Sequence, residues 1–414
     1  VQGVVTDESK AVVTGATVTL TNVNTGIKVV KETRETGLYL FDSVDPGTYS
    51  VTVELAGFGK WTQENILVQS GGDVSVDAVL KPGAVSSSVT VTEMPVAVEF
   101  NSSNKDLTID TKMAEETPRL DRNPFKLTLL APSAINTRGE MQPYHSWSMN
   151  SVDLGGGTNL ANDLQVDGSP IGLGHKGSYP PNTDAVQEVV VSQNSVDAET
   201  GHSAGGLISM TTKGGTNEWH GTGFYLGRYP WLSAAANRTT NSYNSQHIMG
   251  FTLGNPILKN KLFNFASLEY WKVSYPNSYV NTVPTSLETG GDFSQSYNID
   301  GGLRTIYDPW TSTLNASTGA VSVSAFPGNK IPVSRFDSVT GNLIKQFWGP
   351  NNAGDNITGV NNYKKGFIER YNYYNWSDRV DYNINDKWRV FGRASRYYTD
   401  DVAGNPTPLA TTNL

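Results

Sequence analysis

The sequence predicts a mainly β protein with an N-terminal β-sandwich, a middle α+β domain and the first strands of a transmembrane antiparallel β-barrel. Three observations lead to this fold class. Charged residues make up only 17% of the 414 residues, while glycine, asparagine, serine, threonine and tyrosine are abundant, a composition typical of β structure with many turns. Short alternating runs fill the chain up to about Lys81, and long aromatic runs begin at Trp219.

The bulk composition excludes several classes of function. A net charge of -8 argues against a nucleic-acid binder, which normally carries a basic face. The chain has no cysteine, so thiol catalysis, disulfides and cysteine-ligated metals are excluded. The five histidines show no H-E-x-x-H spacing, and we expect neither a metal site nor a cofactor. No apolar run reaches the ~18 residues of a transmembrane helix. Because the chain starts at Val1 without a signal region, we expect a mature or trimmed chain.

Residues 1–82 are predicted to form the sandwich, because about seven β-prone runs alternate there with turn residues. The runs are Val1–Thr6, Ala16–Asn22, Lys28–Thr33, Leu38–Phe41, Tyr49–Leu55, Ile66–Val68 and Val74–Leu80. Asp45-Pro46-Gly47 predicts a type II turn, in which Pro fixes φ and Gly accepts a positive φ. The blocks Gly3-Val4-Val5-Thr6-Asp7 and Gly37-Leu38-Tyr39-Leu40-Phe41 resemble the carboxypeptidase-regulatory-like domain, a likeness that implies a sandwich and no peptidase activity.

Residues 83–98 are predicted to be a linker that contains one short β-prone run, Val89, Thr90, Val91 and Thr92, between a serine-rich lead and Met94-Pro95. The run has no obvious partner strand in its own chain, so it is available to pair with another protein by β-strand addition. The alternative is that it forms the last strand of the sandwich.

The middle domain, residues 99–217, mixes helical and β signals. Thr111–Glu116 is predicted to be a helical turn, and Phe125–Leu130 a short helix or strand. Asp163–Gly168, Ala185–Val196 and Leu207–Thr212 are predicted strands.

Residues 218–414 contain five predicted strands with alternating short and long connections, which is typical of an outer-membrane barrel. They are Trp219–Gly227, His247–Leu253, Leu262–Val273, Glu369–Ile384 and Lys387–Thr399. In the last strand, Arg389, Arg393 and Ser395 share one face and Trp388, Val390, Gly392 and Ala394 share the other. Glu269 departs from this pattern if it faces lipid. Five strands cannot close a barrel, and a barrel wide enough to hold a folded domain inside it, a plug, needs about 22 strands. We therefore expect the chain to be the N-terminal part of a longer protein.

The junction between the last two regions carries the most specific resemblance. Ala198-Glu199-Thr200-Gly201 and Thr211-Thr212-Lys213-Gly214-Gly215-Thr216-Asn217 resemble the plug–barrel junction of TonB-dependent outer-membrane receptors, nearest to the Oar-like branch. Arg119-Leu120-Asp121-Arg122-Asn123-Pro124-Phe125 and Leu164-Gln165-Val166-Asp167-Gly168 are similar to the plug domain. The resemblance implies the outer membrane of a Gram-negative bacterium with the N-terminal domain in the periplasm. It also implies contact with outer-membrane lipid, an unknown external ligand, a TonB box at Val89–Thr92, and TonB with its inner-membrane energising complex as partner.

Aromatic and histidine side chains in the plug region are candidate ligand-binding residues. They are Tyr144, His145, Trp147, His175 and Tyr179, which lie among glycines and prolines. A purely structural role against the barrel wall is an equal alternative for each of them. The long connection Ser274–Ile368 is expected to lie outside the cell, as a ligand lid or a partner surface.

Two other classes of function remain open. A surface scaffold or adhesion protein would use the same fold to hold partner proteins through its loops. A hydrolase would use Ser203 in the G-x-S-x-G match at Gly201–Gly205, but that site needs a helix after the serine, and the residues that follow predict a strand. The sequence therefore favours a transporter without enzymatic activity.

Overall fold

The computed structural model describes residues 1–70, 74–83, 88–91, 105–117, 122–136, 152–158, 161–171, 179–193, 205–232, 244–344, 348–385 and 388–402. The protein is mainly β. The chain divides into two compact units. The first comprises Val1–Leu226, His247–Trp271 and Asn372–Asp400, and the second comprises Gly227–Gln246, Lys272–Tyr371 and Asp401–Leu414.

The N-terminal region is a two-sheet sandwich. Its strands are β1 (Gln2–Asp7), β2 (Thr17–Asn22), β3 (Lys28–Glu32), β4 (Leu38–Leu40), β5 (Gly47–Glu54), β6 (Lys60–Val68), β7 (Ala78–Leu80) and β8 (Ser88–Val91). One sheet has the order β3-β2-β5-β6-β8 and the other β4-β1-β7. Alternate residues of β2 and β5 point inward, so Val18, Leu20, Val51 and Val53 are buried in one apolar core. This alternation is the period-2 pattern that predicted the sandwich.

Two features of the sandwich differ from the sequence predictions. The prediction of a type II turn at Asp45-Pro46-Gly47 is wrong, because Gly47 begins β5 and does not have a positive φ. The positive φ nearby is that of Ser43, at 52°. The run from Val89 has a partner in its own chain, because β8 pairs in parallel with β6. The alternative of a last sandwich strand therefore describes its position. Gly3 is required for packing, since a Cβ there would lie 1.9 Å from the carbonyl oxygen of Val76.

The middle region is a five-stranded sheet with short helices. Its elements are β9 (Lys105–Asp110), α1 (Thr111–Glu116), a 3₁₀ helix (Pro124–Leu130), β10 (Ile135–Asn136), β11 (Val152–Asp153), β12 (Asp163–Val166), β13 (Ser169–Pro170), a 3₁₀ helix (Thr183–Ala185), β14 (Val186–Gln193) and β15 (Gly206–Thr212). The sheet order is β13-β12-β15-β14-β9. Asp110 caps α1 by accepting a hydrogen bond from the Met113 amide, so the predicted helical turn forms where a capping residue precedes it.

The C-terminal region is a five-stranded sheet of long strands, in which long strands that follow each other along the chain are neighbours. They are β16 (His220–Arg228), β17 (Ser245–Leu258), β18 (Leu262–Asn281), β21 (Tyr363–Asn385) and β22 (Trp388–Val402), in the sheet order β16-β17-β18-β21-β22. All five predicted strands form. Four are longer than predicted: β17 continues to Leu258, β18 continues to Asn281, β21 begins at Tyr363 and β22 continues to Val402.

The connection between β18 and β21 is folded. It holds α2 (Ser286–Thr289), 3₁₀ helices at Pro309–Thr311, Pro327–Asn329 and Val333–Arg335, the hairpin β19 (Thr313–Leu314) with β20 (Val321–Ser322), and α3 (Ser338–Ile344). Asn329 organises it: its side chain donates to the carbonyl oxygens of Phe293 and Arg304 and accepts from the Ile306 amide. Among the helices described, none is long and apolar enough to cross a membrane.

Candidate functional site

The candidate site lies in the first unit, where the middle domain meets one face of the long strands. On β18 every second residue from Phe263 to Trp271 is buried, and these residues are Phe263, Phe265, Ser267, Glu269 and Trp271. Glu269 therefore does not face lipid. The departure from the strand pattern is explained by a charged partner on the middle domain.

That partner is Arg122. Its Nε lies 2.7 Å from Glu269 Oε2, and its Nη2 lies 2.9 Å from the Asp184 carboxylate. The guanidinium carbon lies 3.9 Å from the centre of the Phe224 ring, a cation–π distance. The other carboxylate oxygen of Glu269 accepts from the Trp271 indole N–H at 2.6 Å. Both oxygens of a side chain that is only 1% exposed are thus satisfied.

The two carboxylates of this cluster favour the charged form of Arg122. Burial by itself lowers the pKa of Arg122, but the Glu269 and Asp184 carboxylates outweigh burial and raise that pKa above its ordinary value. A buried pair of this kind costs desolvation energy and is weak evidence for stability, yet removal of one partner costs about 3–5 kcal/mol because a buried charge is left alone. The cluster therefore fixes which surface of the middle domain meets β18.

A set of uncharged hydrogen bonds surrounds the ion pair. The Asn182 side-chain amide donates to Ser267 Oγ at 3.0 Å and to the Asn375 carbonyl oxygen at 3.1 Å. Asn375 returns a bond from its own amide to the Pro180 carbonyl oxygen at 2.9 Å. Ser267 and Ser377 share a hydroxyl contact of 2.8 Å between β18 and β21. Polar groups thus meet polar groups, which satisfies buried donors and acceptors.

A second charged cluster forms around Asp167. Asp167 and Gly168 both have positive φ, at 50° and 74°, in the tight turn between β12 and β13, where the Asp-Gly pair is favoured. The Asp167 carboxylate accepts from the Thr212 amide at 2.8 Å and lies 3.1 Å from Arg379 Nη1 and 2.9 Å from Arg393 Nε. Arg379 also pairs with Asp381. Two cations and two carboxylates therefore balance at this end of the strands.

The sandwich is joined to the same structures by polar contacts. Arg389 on β22 pairs with Asp45 at 2.8 Å and donates to the Ser43 carbonyl oxygen at 2.9 Å. The Asn217 side chain donates to the Thr25 carbonyl oxygen at 2.6 Å. The predicted face of β22 that holds Arg389 and Arg393 is thus the face that meets the sandwich and the middle domain.

Most predicted site residues cannot be placed. Tyr144, His145, Trp147, His175 and Thr92 lie outside the described residues. Tyr179 is described: it is 44% exposed, and its ring centre lies 4.8 Å from that of Tyr397 on β22. Val89, Thr90 and Val91 lie in β8. Their roles as ligand contact and TonB box stay predictions.

Sequence reasoning missed the charged contacts. Arg122 and Glu269 are separated by 147 residues, so no local pattern connects them. Glu269 itself was a signal, because a carboxylate on the buried face of an alternating strand needs a cationic partner. Within the described part of the chain, no group of three or more His, Asp or Glu side chains is arranged to hold a metal ion.

Two family models match the chain. The model of the carboxypeptidase regulatory-like domain matches residues 1–81, and the model of an outer membrane beta barrel domain matches residues 211–413. Among known proteins, the TonB-dependent transporter Oar of Myxococcus xanthus is 24% identical over 330 residues, which is 73% of this chain and 30% of that protein. The chain therefore spans less than a third of the length of this relative.

Solved structures of outer-membrane receptors also match. The siderophore receptor PirA of Acinetobacter baumannii shares 15% identity with a TM-score of 0.38, over 72% of this chain and 32% of the receptor. The ferric enterobactin receptor PfeA of Pseudomonas aeruginosa shares 13% identity with a TM-score of 0.38, over 72% of this chain and 33% of the receptor. The chain is therefore similar to the TonB-dependent transporter Oar, and it matches a carboxypeptidase regulatory-like domain at its start and an outer membrane beta barrel domain in its second half.

Proposed function

We propose that this chain belongs to a TonB-dependent outer-membrane receptor that binds an external ligand and imports it by TonB-driven rearrangement of the plug domain. The observation that carries the proposal is the chemistry of the contact between middle domain and strands. It consists of the Arg122–Glu269 pair, the Asp167 cluster and hydrogen bonds such as that from Asn182 to Ser267. Charged and polar groups regain water when they separate, so this polar part of the contact loses less on opening than an apolar contact of the same area.

The proposal assigns a role to each part of the chain. Residues 1–82 form most of the periplasmic sandwich, residues 83–98 hold its last strand β8 and the TonB box, residues 99–217 form the plug, and residues 218–414 the first part of the barrel. The exposed faces of the strands support contact with outer-membrane lipid, since they carry side chains such as Phe251, Leu253, Trp376 and Trp388. No bond of the ligand is made or broken in this scheme, so the protein is not an enzyme.

The proposal further assigns TonB, with its inner-membrane energising complex, as the periplasmic partner. Two observations support this: the relative is described as TonB-dependent, and β8 is a short strand at one edge of the larger sandwich sheet. The external ligand has no assigned identity. The relatives with solved structures include siderophore receptors, which makes metal chelates one class to test.

The test uses the full-length receptor in its host. Compounds removed from the medium by wild-type cells, but not by a receptor deletion strain, are first identified by mass spectrometry. We expect Val91→Pro cells to leave these compounds in the medium, because proline blocks strand pairing at the box. A second variant, Asn182→Cys with Ser267→Cys, is treated with a short thiol cross-linker to fix the plug to β18; each single cysteine variant is the control. Uptake that continues in both variants would refute the transport proposal.

A surface scaffold or adhesion protein is the second candidate, and the folded loop between β18 and β21 favours it. This loop exposes large apolar side chains, among them Ile299, Trp310 and Val333, and exposed apolar groups of this size mark interaction surfaces when they lie together. A scaffold would keep its partner on Val91→Pro cells and would deplete no compound from the medium.

A further inference from the structure

A cavity of about 540 Å³ lies in the second unit, where β18 ends and β21 begins. Val280 of β18 and Lys364 of β21 line it, together with residues of the loop that precedes β21, among them Asn351, Asp355 and Asn361. Its volume is within the range of roughly 300–1,000 Å³ that is usual for small-molecule sites. Because β18 and β21 are neighbours in the sheet, the site is built from adjacent parts of one unit.

Paired hydrogen bonds hold the loop around the cavity. The Asn351 side chain donates to the Lys364 carbonyl oxygen at 2.7 Å and accepts from the Lys364 amide at 2.9 Å. The Asn362 side chain, only 3% exposed, makes the same two-way contact with the backbone of Val283, at 2.9 and 2.8 Å. Gly354 has a φ of 70°, and a Cβ there would lie 2.5 Å from a neighbouring carbonyl oxygen. The loop is therefore ordered before a ligand binds, which lowers the entropy cost of binding.

A carboxylate and an ammonium group line this cavity without pairing with each other. Asp355 Oδ1 accepts from the Ile357 amide at 2.9 Å and from the amide and hydroxyl of Thr358 at 2.8 and 3.0 Å. These bonds, with the Thr358 amide first, lower the pKa of Asp355, so its carboxylate is charged at neutral pH. Among the described residues, nothing bonds to Oδ2 of Asp355, to the ammonium group of Lys364 or to the side-chain amide of Asn361. Three polar groups are thus left for a ligand.

We propose that this cavity binds a short zwitterionic peptide, whose terminal ammonium group pairs with Asp355 and whose terminal carboxylate pairs with Lys364. A ligand with a single charge would leave one of the two groups unpaired and would meet like-charge repulsion from the other. Charge-assisted hydrogen bonds are about twice as strong as neutral ones, so the cavity favours a zwitterion over an uncharged sugar. The Asn361 amide is left for the peptide group between the two ends.

The length of the peptide follows from the distance that it bridges. Asp355 and Lys364 form no ion pair with each other in the described structure, so the ligand reaches from one to the other. Each added residue lengthens an extended peptide by about 3.3–3.6 Å, and affinity should therefore peak at one length. This inference names a ligand class for the proposed receptor, and in that respect it rests on the proposed function.

The test measures binding of alanine, dialanine and trialanine to the full-length receptor in detergent micelles by isothermal titration calorimetry. We expect the peptide of the best length to bind at least tenfold more tightly than the same peptide with an acetylated N-terminus and an amidated C-terminus. Asp355→Asn keeps the Oδ1 acceptor of the turn, and both Asp355→Asn and Lys364→Gln should weaken binding at least tenfold. Asp337→Asn is the matched control: Asp337 accepts from two backbone amides in a similar turn but does not line the cavity, and its loss should leave binding within about twofold.

Singly blocked peptides then assign each end. Acetylation of the N-terminus should weaken binding to the wild type at least tenfold but should leave binding to Asp355→Asn within about twofold, because the partner of the ammonium group is already lost. Amidation of the C-terminus should act in the same way on Lys364→Gln. Blocked ends that weaken binding equally in wild type and variants overturn the assigned pairing.

The remaining outcomes separate this inference from the function on which it rests. If no alanine peptide binds better than its blocked form, or if glucose binds and the peptides do not, the peptide site is overturned, while import of another ligand stands. If the peptides bind as expected but wild-type cells do not remove them from the medium, the site stands and peptide import is overturned.

Discussion

The sandwich core and the contact between the middle domain, which we propose to be the plug, and the long strands are both buried, but they use opposite chemistry. The sandwich buries Val5, Val18, Val51 and Ile66, all with no exposed surface. The plug contact buries Glu269, Asn182 and Ser267 with their partners. Apolar burial is non-directional and roughly proportional to area, whereas ion pairs and hydrogen bonds require one orientation. In the proposed function, the sandwich thus stays folded, and the plug contact forms in one register and separates into water.

The largest expected effect is at Glu269. Glu269→Leu leaves the Arg122 guanidinium buried beside Asp184 alone, and we expect a loss of about 3–5 kcal/mol in the attachment of the plug. The measurement is maleimide labelling of Ser267→Cys, a position with no exposed surface on the buried face of β18, in the full-length receptor as urea is raised. The variant should label at a clearly lower urea concentration than the parent.

The control for Glu269 is the double variant Arg122→Met with Glu269→Leu. Replacement of both charges by apolar groups is often neutral or stabilising, so the double variant should label close to the parent. If it labels as early as the single variant, the contact is held by its packing and not by the ion pair, and the contrast with the sandwich disappears.

The second prediction concerns the sandwich. Ile66→Ala removes buried methylene and methyl groups from the apolar core and should cost about 2–5 kcal/mol, with Ile66→Val as the matched control at about 0.5–1.5 kcal/mol. Labelling of Val53→Cys, another fully buried core position, reports unfolding of the sandwich. The urea midpoint for Ser267→Cys should not change in the Ile66→Ala background. A shift of both reporters together would mean that the two regions open as one unit.

A smaller effect is expected at the Asp167 cluster. Asp167→Asn removes the charge that Arg379 and Arg393 share, but Arg379 keeps Asp381 as a partner, so the loss is that of a charged hydrogen bond, about 1.5–3 kcal/mol. Asp163→Asn, in β12 of the same hairpin, is the control and should be silent. The Ser267→Cys assay measures both variants. Equal midpoints for the two would remove Asp167 from the plug contact.

The sequence predicted the strands because they follow local rules. The alternation of β2 and β5 and the face of β22 that carries Arg389 and Arg393 are visible within a few residues. The partner of β8 was not predictable in this way, because pairing with β6 depends on how the chain returns to the sheet. The length of β18 was also missed, since the end of a strand depends on its neighbours in the sheet and not on its own residues.

The candidate site was predictable only in part. Glu269 was visible as a carboxylate out of place in a strand, but its partner Arg122 belongs to a different domain. The positive φ of Asp167 and Gly168 is a local signal of a tight turn, yet nothing local predicts that the carboxylate meets Arg379 and Arg393. Sequence patterns predict elements, whereas long-range charge pairs emerge only when the elements are packed.

The smallest expected effect is at an ion pair of similar chemistry in an exposed setting. In the loop of the second unit, Asp292 lies 2.7 Å from Lys330 and accepts from the Ser294 amide, and these bonds, with Lys330 first, lower the pKa of Asp292 from 3.8 to about 2. A carboxyl with a lowered pKa in the folded state stabilises that state above its unfolded pKa, and this contribution is lost as the pH falls from about 4 towards 2. Exposed pairs contribute little, so Asp292→Asn should change pepsin cleavage of the loop only slightly at pH 4 and not at pH 2. The ratio of the wild-type and variant cleavage rates cancels the pH dependence of pepsin itself.

A ratio that stays constant from pH 4 to pH 2 would show that the pair does not hold the loop. A large ratio at pH 4 would mean that exposure does not weaken the pair, and that burial is not what distinguishes Glu269.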